Sequence, residues 1–230
     1  MIGVFDSGVG GFNAFTHLRR RFPLADIAYL ADRKNAPYGT KSEVELVSLV
    51  GRCIDRLRSC GAEKVLIACC TASTVWDRLS EGQREDSVPI ISCVESLFLG
   101  KEKNVLVIAT ERTVASGEFG RIIKKKCPLA HVVEVPMQNL VRVVEDGVRL
   151  GEMALVTRFE IDKIRALADL YCPDTLVLGC THFSSVRDLI ADAAPMARIV
   201  NPAFIGAEAM AEEIELLGIN TKEQGRIIYM

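Results

Sequence analysis

The sequence predicts an α/β fold of two similar lobes, each a mainly parallel sheet flanked by helices, with an active site in the cleft between them. Three observations carry this. Apolar runs of strand length alternate with longer stretches of helical period, the order that builds parallel sheets covered on both faces. The alternation runs through once in the first half of the 230 residues and again in the second. Each half also carries an apolar run ending in a cysteine with a threonine close behind: Ile67-Ala68-Cys69-Cys70-Thr71 and Leu178-Gly179-Cys180-Thr181.

In chain order, short apolar runs predict strands over Ile2 to Phe5, Asp26 to Leu30, Lys64 to Ala68 and Pro89 to Ile91. Helical period between them predicts helices near Phe12 to Phe22, Ser42 to Cys60 and Ala72 to Ser80. The second round reads as strands at Asn104 to Ala109, His131 to Val135, Thr175 to Leu178 and Arg198 to Val200. Its helices fall near Arg112 to Lys126, Gln138 to Glu145 and Glu152 to Tyr171. A helix near Ile205 to Leu217 and a last run, Arg226 to Tyr229, can return to the first half. The expected division is residues 1–95 with 204–230 as one lobe, carrying Asp6 and Cys69, and 96–203 as the other, carrying Cys180 and His182.

A net charge of −2 and a pI near 6 provide no basic surface, and the few aromatics are not interleaved with Lys or Arg. Nucleic acid is therefore not an expected partner. The chain opens directly on a strand and a glycine-rich turn, and its apolar stretches are too short to span a bilayer. The expectation is a cytoplasmic protein with no membrane association.

The cysteines at 53, 60, 69, 70, 93, 127, 172 and 180 sit in a long chain without C-x-x-C pairs. That pattern favours free thiols over a disulfide framework or a zinc site, so no metal is expected. Ligands of parallel sheets bind at the carboxyl ends of strands. Thiols delivered there from both halves suit the transfer of a proton from one face of a carbon to the other. A free thiol titrates near 8.5, so both of its protonation states are reachable near neutrality. Ser7 and the amides of Gly8 to Gly11 read as an anion-binding turn at a helix N-terminus. The turn is not a dinucleotide fingerprint, because Asn13 stands where a third glycine is required. Thr71 and Thr181 each follow a cysteine and can offer a hydroxyl and an amide to a carboxylate.

Four segments in order, Gly3 to Gly11, Ala36 to Ser42, the Cys69 segment and Gly179-Cys180-Thr181-His182, resemble the motifs of the glutamate racemases in the cofactor-independent aspartate/glutamate racemase superfamily. The resemblance runs along nearly the whole chain. It implies two pseudo-symmetric lobes, a homodimer, and interconversion of L- and D-glutamate to supply D-glutamate for peptidoglycan. It implies Cys69 and Cys180 as the two bases, Asp6 supporting the Cys69 side and His182 the Cys180 side. Glu145 matches a family glutamate near the second cysteine, and Pro37, Tyr38 and Gly39 would bring backbone and a phenol to the substrate. Read alone, Asp6 is equally a helix cap and His182 a structural hydrogen-bonder.

This chain departs from the family pattern in places. Cys70 stands where the family has a substrate-binding Asn, and a thiol is a poor substitute for an amide that both donates and accepts. Phe183-Ser184 replaces Tyr-Pro, and Glu134-Val135-Pro136 replaces Ala-Cys-Pro. The alternatives are a racemase of aspartate or another amino acid, a related enzyme working through one cysteine, or a ligand-binding protein with little turnover. Retention of both Cys69 and Cys180 favours the two-base reaction.

Overall fold

The structure, a computed structural model, describes residues 1–145, 152–222 and 224–230. In chain order the strands are β1 (Ile2–Asp6), β2 (Ile27–Ala31), β3 (Lys64–Ile67), β4 (Ser87–Pro89), β5 (Asn104–Ala109), β6 (His131–Pro136), β7 (Thr175–Gly179), β8 (Arg198–Val200) and β9 (Ile227–Tyr229). The helices are α1 (Phe12–Arg21), α2 (Glu43–Ser59), α3 (Cys70–Ser73), α4 (Glu81–Glu85), α5 (Ile90–Cys93) and α6 (Glu111–Ser116), then α7 (Glu118–Lys126), α8 (Gln138–Glu145), α9 (Glu152–Tyr171), α10 (Arg187–Ala193) and α11 (Pro202–Leu216).

Two parallel sheets result, in the orders β4-β3-β1-β2-β9 and β6-β5-β7-β8. The two-residue period of a strand sends alternate side chains to opposite faces, and each face finds its own core. Ile2, Val4 and Leu66 of the first sheet and Val105, Val107 and Val177 of the second belong to one shared core. Phe15 of α1, Ile90 of α5, Phe119 of α7 and Met210 of α11 fill it. The opposite parity, Phe5 and Ile67, packs on Leu46, Val50 and Leu57 of α2. In the second sheet Leu106, Ile108 and Leu178 pack on Leu140 of α8, Ile164 of α9 and Ile190 of α10. Full burial of each such side chain contributes about 1.5–3 kcal/mol.

Local signals set the helix starts. Ser42 and Glu45 form a reciprocal capping box at α2. Asn201 caps α11 through the Ala203 amide, with Pro202 in the first turn. The last strand returns to the first sheet as the sequence suggests: β9 pairs with β2, and Asp26 accepts from the amide and Nε of Arg226 at 2.8 and 2.7 Å.

Three expected elements differ. The run at Pro89 to Ile91 is not a strand; β4 ends at Pro89 and α5 begins at Ile90, whose side chain meets α11 in the shared core. The helix expected over Ala72 to Ser80 shrinks to α3 and a single 3-10 turn, Trp76–Arg78. The helix expected over Arg112 to Lys126 is cut at Gly117, which adopts φ 64° and so separates α6 from α7. Asp146 and Gly147, which follow Glu145 in its sequence segment, lie outside the described residues.

Candidate active site

Register places the site. Phe5 pairs with Ile67 across β1 and β3, so the segments Asp6-Ser7 and Cys69-Cys70 leave the first sheet at one edge. Ala109 pairs with Gly179 across β5 and β7, so Thr110 and Cys180 leave the second sheet together. Cys69 and Cys180 share the parity that faces away from the shared core. Both thiols line a single cavity of about 410 Å³ at these strand ends, and each is 5% exposed.

On one side, Cys69 Sγ lies 3.5 Å from Ser7 Oγ and accepts from the Ala72 amide at 3.5 Å. Burial, reinforced by the nearby Asp6 charge, pushes the Cys69 thiol up to about 12. On the other side, Cys180 Sγ lies 3.4 Å from His182 Nδ1, and His182 Nε2 meets Glu145 Oε1. Burial opposes a charge on His182, but Cys180, Glu145 and Asp6 outweigh it and raise the imidazole to about 11. Glu145 is correspondingly lowered, chiefly by its hydrogen bond with His182. The second thiol thus has a cationic partner held by a carboxylate, the pattern by which a base is oriented by a third group.

Asp6 is fully buried and does not line the cavity. It accepts from the Gly8 amide at 2.7 Å and from Thr181 Oγ1 at 3.3 Å. Burial raises its carboxyl, against the opposing pull of His182. Asp6 and Thr181 therefore stand behind the wall and tie the β1 edge to the β7 edge. Gly10 allows that approach, since a Cβ there would come within 2.9 Å of the His182 amide. The turn from Gly8 to Gly11 is not an open anion site. Its Gly8 and Gly11 amides bond Asp6 and its Val9 amide bonds Glu145, so the protein's own carboxylates occupy it. Of that stretch only Ser7 reaches the cavity.

Pro37, Tyr38 and Gly39 line the cavity, but the Tyr38 hydroxyl donates to Asp32 at 2.7 Å instead of offering itself to a ligand. Cys70 lines it too, and burial lifts its thiol well above the ordinary range. Thr71 closes a triangle of hydroxyls with Thr110 and Thr113 at 2.9 and 3.0 Å. Thr110 stands on the cavity wall, as do Gln138, Val141 and Arg142, which sequence reasoning passed over. A signal was present for the last three: with Glu145 they fall at 138, 141, 142 and 145, one face of a helix.

The family model for Asp/Glu/Hydantoin racemase matches residues 16–210. The chain belongs to this racemase family. It is 35% identical to the glutamate racemase of Persephonella marina over 207 residues, covering 87% of this chain and 77% of that one. It is 36% identical to the glutamate racemase of Herpetosiphon aurantiacus over 203 residues, 84% of this chain and 76% of that one. The racemase fold also superposes on the crystal structure of glutamate racemase from Francisella tularensis subsp. tularensis SCHU S4 in complex with D-glutamate. The TM-score is 0.89 at 26% identity, over 99% of this chain and 86% of that one. Among the described residues of this racemase, no helix is long and apolar enough to cross a membrane.

Proposed function

We propose that this racemase interconverts L- and D-glutamate by two-thiol proton transfer at Cα, supplying D-glutamate for peptidoglycan. The carrying observation is that Cys69 and Cys180, from the ends of β3 and β7, line one cavity, each with its own polar partners. The relatives named glutamate racemase, two of them 35% and 36% identical, support glutamate as the substrate.

With Cα between the sulfurs, a thiolate on one face removes the proton and a thiol on the other returns one. The attacking thiolate becomes a thiol and the donor becomes a thiolate, so charge and protons balance. The elevated Cys69 thiol holds its proton at neutrality and is the acid of the resting site. His182, fixed by Glu145, is the partner through which Cys180 exchanges its proton. Asp6 and Thr181 act as positioning residues that hold the two edges in register. Ser7, Cys70 and Thr71, with the backbone of Pro37 to Gly39, contact the substrate. The two thiols carry both proton transfers, so the reaction as written calls on no cofactor. Residues 1–95 with 204–230 form one lobe and 96–203 the other, and the working protein is a cytoplasmic homodimer.

The test is proton NMR of each glutamate enantiomer with purified, reduced protein in deuterated water. The Cα proton signal is lost from both enantiomers while optical rotation decays in parallel. Retention of the Cα proton in both would overturn the proposal.

A further inference from the structure

We infer that Gln138 and Arg142, one turn apart on α8, bind the distal carboxylate of the substrate and set the preference for an acidic side chain. The inference rests on the glutamate reading above and goes beyond it by naming the residues that distinguish a charged side chain from a neutral one.

Gln138 is buried to 9% exposure yet lines the cavity. Its Oε1 accepts from the Glu111 amide at 3.4 Å, which fixes the carboxamide and leaves Nε2 as an amide donor with no hydrogen bond among the described residues. The loop opposite is cut to fit it: a Cβ on Gly39 would lie 2.5 Å from Gln138 Oε1 and 2.9 Å from Thr110 Cβ. Arg142, four residues on, shares the face of α8 that holds Gln138 and Glu145, and it is the lone Lys or Arg among the described lining residues.

Charge decides what these groups serve. Glutamate brings two carboxylates and one ammonium into a cavity whose other cationic group, His182, is already shared by Cys180 and Glu145. A carboxylate leaving water needs charged or amide donors, and an Arg with an adjacent amide supplies both. Position separates the two carboxylates. The α-carboxylate must stay beside Cα, between the sulfurs, where Ser7 and Thr71 are at hand. Arg142 is exposed and also lines the adjoining groove with Asn139, Leu155 and Phe159, so it stands at the rim, open to the far end of a substrate whose Cα sits between the sulfurs.

The experiment is steady-state racemisation by wild type, Gln138→Glu and Arg142→Met, with glutamine as a competitive inhibitor. Gln138→Glu keeps the size of the side chain and an acceptor for the Glu111 amide, so a role limited to packing would leave it active. Each variant raises KM for glutamate by about tenfold or more, with kcat changed by less than about threefold, the size expected for one charge-assisted contact. The inhibition constant of glutamine does not rise in either. A wild-type KM for glutamate in Gln138→Glu or Arg142→Met overturns the inference, as does a parallel weakening of glutamate and glutamine. A wild type that exchanges no glutamate fails the functional reading itself and takes the inference with it.

Discussion

Replacing Glu145 with Gln removes a charge and keeps a hydrogen-bonding group opposite His182 Nε2. The structure allows the effect to be sized. Hydrogen bonds to charged groups contribute about 1.5–3 kcal/mol. The Glu145 side chain is 31% exposed, so solvent screening places this one near the lower end. About 1.4 kcal/mol corresponds to one pK unit or a tenfold change in a rate. His182, raised to about 11 in part by Glu145, should therefore titrate roughly one unit lower in the variant. The assay is kcat for racemisation, followed by circular dichroism from pH 6 to 11. The alkaline limb should move down by about one unit, with the plateau below it changed far less and a thermal midpoint near that of wild type. An alkaline limb that stays in place, or moves upward, would refute the assignment of Glu145 as the group that holds His182 charged.

Gly10→Ala drives a methyl toward Thr181 and the His182 amide and should cost about 1–3 kcal/mol of stability by overpacking, with kcat falling further than the thermal midpoint suggests. Gly206→Ala places a Cβ 2.8 Å from Ile90 Cβ between α11 and α5. It should lower the unfolding free energy by about 1–3 kcal/mol, read as a lower urea midpoint at unchanged m, with activity at 25 °C retained. His182 also makes stability depend on pH. Its folded value of about 11 exceeds the ordinary 6.5, so its contribution is complete below pH 6.5 and is lost as pH rises toward 11. The Cys69 thiol, raised from 9.0 to about 12, adds to this decline only above pH 9. Between those onsets stability should fall by up to about 1.4 kcal/mol per pH unit, and His182→Gln should flatten the slope in urea titrations.

The strands that carry the site were legible because they are buried on both faces and read as unbroken apolar runs, as in Thr175 to Leu178. The two thiols were legible for the same reason, standing directly after such runs. The run from Pro89 to Ile91 misled because period cannot distinguish a buried strand from a buried helical turn; here Ile90 turns into α5 to meet Gly206. The glycine-rich turn misled in another way. Its amides are free in the sequence, but folding brings Asp6 and Glu145 onto them, the second from a helix more than a hundred residues away. Tyr38 likewise spends its hydroxyl on Asp32, six residues before it. Gln138 and Arg142 fall on the helical face that Glu145 marks, but how far that face extends along the cavity is fixed by tertiary packing.

Two thiols acting from opposite faces of one carbon are tested most directly by Cα deuterium exchange in Cys69→Ser and Cys180→Ser, each with separate L- and D-glutamate. Each variant should lose racemisation and retain slow exchange of one enantiomer only, with the two variants sparing opposite enantiomers. Racemisation near the wild-type rate in either, or exchange of the same enantiomer in both, would contradict the two-thiol mechanism.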